Sequence, residues 1–195
     1  GIVSNGLTSA RHDILCPYYR EKYPETFDAG VDEKLVYCGP YKLEDKLEGS
    51  SMTIAQALLS PTRTYAPVIM KIMKKHPGLI KGLVHCSGGG QTKCVRFGKS
   101  VHFVKDNLMD VPPIFKAIQK ASGTSDREMF EVYNMGHRME VYCSKSDAKK
   151  VIDIAESYAV EARVIGHTEK SARPDRKNHV SVKYAGKTLE YGPRD

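Results

Sequence analysis

No apolar run in this 195-residue chain extends beyond a few residues. A membrane-spanning helix, which needs about 20 consecutive apolar residues, is therefore not expected. No stretch reads as a secretory leader. Cys-x-x-Cys does not occur, and the five cysteines (Cys16, Cys38, Cys86, Cys94 and Cys143) are odd in number. Cys86 and Cys94 are too widely spaced for a zinc knuckle, so the set reads as reduced thiols of a cytoplasmic protein. Acidic residues are in the minority, 23 against 30 Lys and Arg, giving a net charge of +7. The basic residues are scattered. Their densest cluster, Arg173, Arg176 and Lys177, has no interleaved aromatics. Nucleic acid is therefore not the expected partner, and attraction of phosphorylated small molecules is. No initiator Met precedes Gly1, so the chain reads as a piece of a longer protein.

What is present is an ordinary globular composition, 41% hydrophobic and 27% charged. Periodicity and capping signals predict helices over 7–22, from Thr53 to Leu59, over 63–76, from Pro112 to Lys120, from Ser125 to Val132 and over 146–158. Strands are expected over 34–38, 79–86, 100–105, 138–143 and 162–167, with a terminal hairpin of 180–184 and 188–191 around Ala185-Gly186. On the strand over 138–143, Met139, Val141 and Cys143 share one face. Met70, Met73 and Met139 read as core. The order of elements lacks strict βαβ alternation and implies an α+β fold, a mixed, mostly antiparallel sheet packed with helices. Residues 1–168 are expected to form the domain. Residues 169–195 are a basic tail whose hairpin packs on it.

The most informative stretch is His85-Cys86-Ser87-Gly88-Gly89-Gly90, directly after the apolar run that ends in Leu83-Val84. A strand ending in a small hydroxyl residue and three glycines delivers bare backbone to one point. Its N–H groups can close around an anion, and glycine tolerates the positive φ such a cradle needs. The same tripeptide also serves as a plain tight turn. Two further stretches carry related chemistry. Ser4-Asn5-Gly6 sits before a helix, where side chains and N–H groups can face an anion or simply cap the helix. In Tyr133-Asn134-Met135-Gly136, Asn134 can meet a ligand or hold its own turn. The histidines His12, His76, His102, His137, His167 and His179 show no metal-ligand spacing, and no metal site is expected.

Together with Leu59-Ser60-Pro61-Thr62-Arg63-Thr64-Tyr65, Pro112-Pro113-Ile114-Phe115 and Glu128-Met129-Phe130, these motifs stand in a fixed order. The ordered set resembles the C-terminal domain of the aminoimidazole ribonucleotide synthetases, or phosphoribosylformylglycinamidine cyclo-ligases, from residue 1 to about 168. Two places depart from the family pattern. Val3 stands where the family usually has histidine. Cys94, Val95, Arg96 and Phe97 stand where it tends to have Asn and a Pro-Arg pair, and Arg96, the candidate for that arginine's part, is one residue out of register.

The resemblance implies the substrate-binding half of an ATP-dependent enzyme that converts formylglycinamidine ribonucleotide to aminoimidazole ribonucleotide in purine biosynthesis. ATP and Mg²⁺ would be held mainly by an N-terminal domain, which also builds a homodimer. ATP activates the formamide oxygen before the imidazole ring closes. On this reading His85 is the catalytic candidate, either donating to a phosphate or moving a proton. Ser4, Asn5, Gly6, Arg63, Ser87, Gly88, Gly89, Gly90 and Asn134 are the candidates for holding substrate or phosphate. Another ATP-dependent member of the same superfamily, or a non-catalytic module binding a phosphorylated ligand, remains the alternative. His85 also suits a backbone-bonded strand end, and Arg63 a helix cap or an interdomain ion pair.

Overall fold

The computed structural model describes residues 2 and 4–193, with the side chains of residues 4 and 5 excepted. The described residues form seven α-helices and six strands. They divide into two compact units. The first comprises 1–63, 87–90 and 111–136, and the second 64–86, 91–110 and 137–195.

The first unit is helical. It contains α1 (Ser4–Ile14), α2 (Tyr18–Lys22), α3 (Ile54–Leu59), α5 (Pro113–Ser122) and α6 (Asp126–Val132). The single helix expected over 7–22 is two helices, because Pro17 breaks the hydrogen-bond ladder between them. α1 packs on α3 and α5, and α5 on α6. Their facing residues, Ile14, Ile54, Ile118, Met129 and Phe130, are almost fully buried. The local sequence explains where these helices start and stop. Thr53 and Gln56 form a reciprocal capping box at α3. Pro113 opens α5, where its missing N–H costs nothing, and Gly123 ends it at φ +69°. The Ser125 hydroxyl accepts from the Glu128 N–H at α6.

No strand forms over 34–38. Those residues instead lead a segment that closes the C-terminus of α1. Cys38 N donates to His12 O, Gly39 N to Leu15 O and Tyr41 N to Ile14 O, at 2.8–3.0 Å. A Cβ on Gly39 would lie 2.3 Å from the Ile14 carbonyl oxygen, so only glycine permits this approach.

The second unit holds α4 (Ala66–Lys75), α7 (Ala148–Glu156) and all six strands. β1 (Gly82–His85) pairs antiparallel with β3 (Met139–Tyr142). β2 (Val101–Lys105), β4 (Gly166–Lys170), β5 (His179–Tyr184) and β6 (Lys187–Tyr191) form a sheet of order β4-β2-β5-β6. Its β2–β5 pair is parallel and the other two are antiparallel. The architecture is α+β with mixed, mostly antiparallel pairing. The strand expected over 162–167 begins only at Gly166, and the expected hairpin is β5–β6. α4 and α7 pack through Val68, Ile72, Leu79, Ile154 and Ala155.

The expectation that Met70, Met73 and Met139 are core is overturned. On α4, Met70 and Met73 are 69% and 58% exposed, because Val68 and Ile72 occupy the stripe that meets α7. On β3 the buried residue is Glu140, opposite the buried Val84, while Met139, Val141 and Cys143 are only half-buried. A satisfied charge, not an apolar stripe, sets that face.

Replacing Thr53 with Ala removes one of the two bonds of the α3 capping box. Denaturant unfolding should register a loss of about 1 kcal/mol, with no change in far-ultraviolet helix signal at room temperature.

Candidate functional site

In the first unit three of the motifs meet at Tyr133. Ser4-Asn5-Gly6 does not precede α1 but forms its first turn, so the backbone N–H groups at this helix start have no earlier turn to bond. The side chains of Ser4 and Asn5, and all of Val3, lie outside the described residues. A Cβ on Gly6 would sit 2.8 Å from the Tyr133 ring. A Cβ on Gly90 would sit 2.4 Å from the Tyr133 carbonyl oxygen and 2.7 Å from that of Phe130. Both glycines are therefore required by close approach, and they bring the first and second motifs onto the third.

Within the glycine loop, Gly90 N donates to Ser87 O at 3.0 Å, and Gly89 and Gly90 adopt φ +95° and +47°. The loop is thus a real turn, with Ser87, Gly88 and Gly89 partly accessible and Gly90 buried. Asn134 is buried and its Oδ1 accepts from Gly136 N at 2.9 Å, the bond that holds a turn with Met135 and Gly136 at positive φ. The Tyr133 hydroxyl is buried beside Ser9 and Asp13 without a bond of good geometry to either. Burial pushes its pKa up to about 12. Arg63 is exposed in the connection between α3 and α4.

In the second unit, His85 ends β1, exposed, with its ring edge-on to Tyr65 at 6.5 Å. The residues that follow the glycine loop form a 3₁₀ turn over Gly90–Arg96. Here the structure reveals a buried polar network that the sequence reading missed. Lys105 Nζ donates to Gln91 O at 2.6 Å, to Gln91 Oε1 at 3.1 Å and to Glu140 Oε1. Glu140 also accepts from Cys86 Sγ at 3.1 Å and from the Tyr142 hydroxyl. Gln91 Nε2 donates to His137 O at 3.1 Å.

Burial alone would drive the Lys105 pKa down, but Glu140 and the neighbouring thiols outweigh it and the net shift is up. Burial would raise Glu140. The Lys105 ammonium and the hydrogen bonds it receives prevail and hold the carboxyl below its ordinary value. His137 is held down to about 4, by burial first and Lys105 second, so its neutral Nε2 accepts from Met109 N at 2.8 Å. Cys86 is pushed up by burial and then by Glu140, so it is an unreactive thiol. The network pins the backbone immediately after Gly90. The signal in the sequence was parity: Lys105 stands two residues beyond the buried Phe103 on β2.

A cavity of about 520 Å³ in the first unit is lined by Tyr18, Tyr19, Tyr23 and Tyr37 with Arg11 and Lys22 among its other walls. Leu59, the first residue of the motif that runs to Tyr65, is also among its walls.

The family described as AIR synthase related protein, C-terminal domain, matches residues 40–177. The chain belongs to this family. The AIR synthase C-terminal match includes Arg63, His85, the glycine loop and Asn134. Phosphoribosylformylglycinamidine cyclo-ligase of Methanococcus vannielii is 37% identical over 192 residues, 97% of this chain and 48% of that protein. The protein of the same name from Methanocaldococcus jannaschii is 34% identical over 166 residues, 85% and 41% respectively. That from Caldicellulosiruptor saccharolyticus is 31% identical over 173 residues, 87% and 46%. The chain spans about half the length of the curated relatives it matches.

Lys105→Met leaves Glu140 buried without its counter-charge and should cost about 3–5 kcal/mol. The double variant Lys105→Met/Glu140→Leu should recover most of that loss in the same denaturant titration. The pH profile of the unaltered chain carries the same signature. Glu140, depressed in the fold, stabilises above its ordinary 4.5, and this is lost as pH falls through the folded value. Lys105, raised in the fold, stabilises below its ordinary 10.5, and this is lost as pH rises through the folded value.

Proposed function

We propose that this chain is the substrate-holding C-terminal half of an ATP-dependent cyclo-ligase that converts formylglycinamidine ribonucleotide to aminoimidazole ribonucleotide. Family membership and the names of the relatives support the reaction class. The observation that carries the reading is the meeting of Gly6, Gly90 and the Tyr133–Gly136 turn. That packing gathers the start of α1, the glycine loop and this turn in the first unit.

In this reading the N–H groups of the first turn of α1 and of the glycine loop hold the ribonucleotide phosphate, a task for which oriented amides are suited. Ser4, Asn5 and Ser87 add hydroxyl and amide donors, and Arg63 neutralises charge. Asn134 keeps its turn in the geometry that Gly90 requires. His85, exposed at the end of a strand, donates to the substrate or moves the proton released at ring closure. ATP, bound with Mg²⁺ by an N-terminal half, supplies activation of the formamide oxygen. The chain's share of catalysis is positioning and charge stabilisation, with no protein nucleophile. The full protein acts as a cytoplasmic homodimer. Residues 169–195 belong to the same functional domain, since β5 and β6 complete the sheet that contains β2. Among the described residues no helix is long and apolar enough to cross a membrane.

The isolated 195-residue chain should release no ADP from ATP in the presence of Mg²⁺ and formylglycinamidine ribonucleotide. A protein carrying it behind the N-terminal half of a relative should turn over. Clear turnover by the chain alone would overturn the half-enzyme reading.

In that full-length protein, Gly89→Val places a branched residue at φ +95°, where backbone has to approach an anion. We expect kcat/KM for the ribonucleotide to fall at least about tenfold, equivalent to about 1.4 kcal/mol, with circular dichroism unchanged. Wild-type kinetics in a folded variant would reduce the loop to a turn.

A further inference from the structure

We propose that His102, His179 and Glu190 form a binding site for a divalent transition-metal cation of the Zn²⁺ type on the polar face of the four-stranded sheet.

The site follows from strand register. Side chains alternate across a strand, so residues paired on neighbouring strands share a face. His102 on β2 is paired with His179 on β5 and, on its other side, with Glu169 on β4. Ser181, two residues beyond His179, is paired with Glu190 on β6. These residues therefore line one face, while Phe103, Val180 and Val182 fill the core on the other. One ring nitrogen of each histidine and one carboxylate oxygen of Glu190 lie within 4.8 Å of one another. The two rings are stacked, with 4.0 Å between centroids and 12° between planes, so binding a common ion requires one of them to turn.

The partners of the remaining nitrogens make this more than a cluster. His102 Nδ1 is 2.7 Å from Glu169 Oε1, so that nitrogen carries the proton and Nε2 carries a lone pair. His179 Nδ1 is 3.1 Å from the Ser171 hydroxyl. Metal-bound histidines are oriented in this way, with the second nitrogen held by a carboxylate or another oxygen. The Ser181 hydroxyl meets His102 Nε2 and occupies the direction a cation would take over. Ligands at 2.0–2.1 Å around a tetrahedral ion stand about 3.3 Å apart. The half-buried His102 and the exposed Glu190 have room to close that difference. Two imidazoles and a carboxylate with a fourth position for water suit Zn²⁺ and its neighbours, and are wrong for Mg²⁺ or Ca²⁺. The bound ion would tie β2, β5 and β6 together.

The test is titration of the 195-residue chain with Co²⁺, read by its visible ligand-field spectrum, and with Zn²⁺ by equilibrium dialysis. We expect one equivalent of tight metal, a spectrum without thiolate charge-transfer bands, and a Zn²⁺-dependent rise in Tm. His102→Gln should abolish the signal. Glu190→Gln should weaken binding at least tenfold, and Glu169→Gln by about 10–100-fold. Ser181→Ala should bind at least as tightly as the unaltered chain. His167→Ala and Cys38→Ser should not change it. Because Glu190 is exposed, its variant remains informative even where substitution of the buried His179 prevents folding. Absence of binding, or binding indifferent to both His102→Gln and Glu190→Gln, overturns the proposal.

Discussion

Two opposite charges placed out of reach of water, Lys105 and Glu140, can persist only if every donor and acceptor around them is arranged to suit. That demand organises much of the second unit. It orients Tyr142 and Cys86 toward one carboxylate, and it draws the backbone and side chain of Gln91 onto one ammonium. Because Gln91 directly follows Gly90, the network anchors the backbone where the glycine loop ends. The anchor sits on β2 and β3, not on the loop itself.

Close approach of Gly6 and Gly90 to Tyr133 and Phe130 packs three motifs of the first unit together, and the buried Asn134 holds the adjoining turn. Cys86 is buried within the ion-pair network and raised in pKa, unsuited to act as a nucleophile.

Most elements were legible in the sequence because their signals are local. The Thr53 cap, the Pro112-Pro113 start and the Ala185-Gly186 hairpin each depend on a few adjacent residues. Apart from the local break at Pro17, the failures required knowledge of distant partners. Residues 34–38 have strand composition, yet they are drawn to the open carbonyls of α1. Met73 continues the apolar spacing of α4, yet α7 covers a narrower stripe. Glu140 reads as an outward residue until Lys105, 35 positions earlier, appears beside it. The motif glycines were found as a set, but their meeting at Tyr133 depends on backbone distances that no spacing rule encodes. The juxtaposition of His102 and His179 is hidden for the same reason, since it exists only through strand register.

That register has a consequence for how the molecule reaches its native state. β2 closes at residue 105, but both of its partners come much later, β4 from residue 166 and β5 from residue 179. During synthesis the strand is complete long before either neighbour exists, and its apolar side, with Val101 and Phe103, waits uncovered. Pairings of such long sequence separation impose a large loop-closure entropy and slow the search. The helical first unit, by contrast, can assemble α1 on α3 from residues made early. The sheet is therefore the late step of folding, and the interval before β5 arrives is when the chain is most exposed to mispairing at an open strand edge.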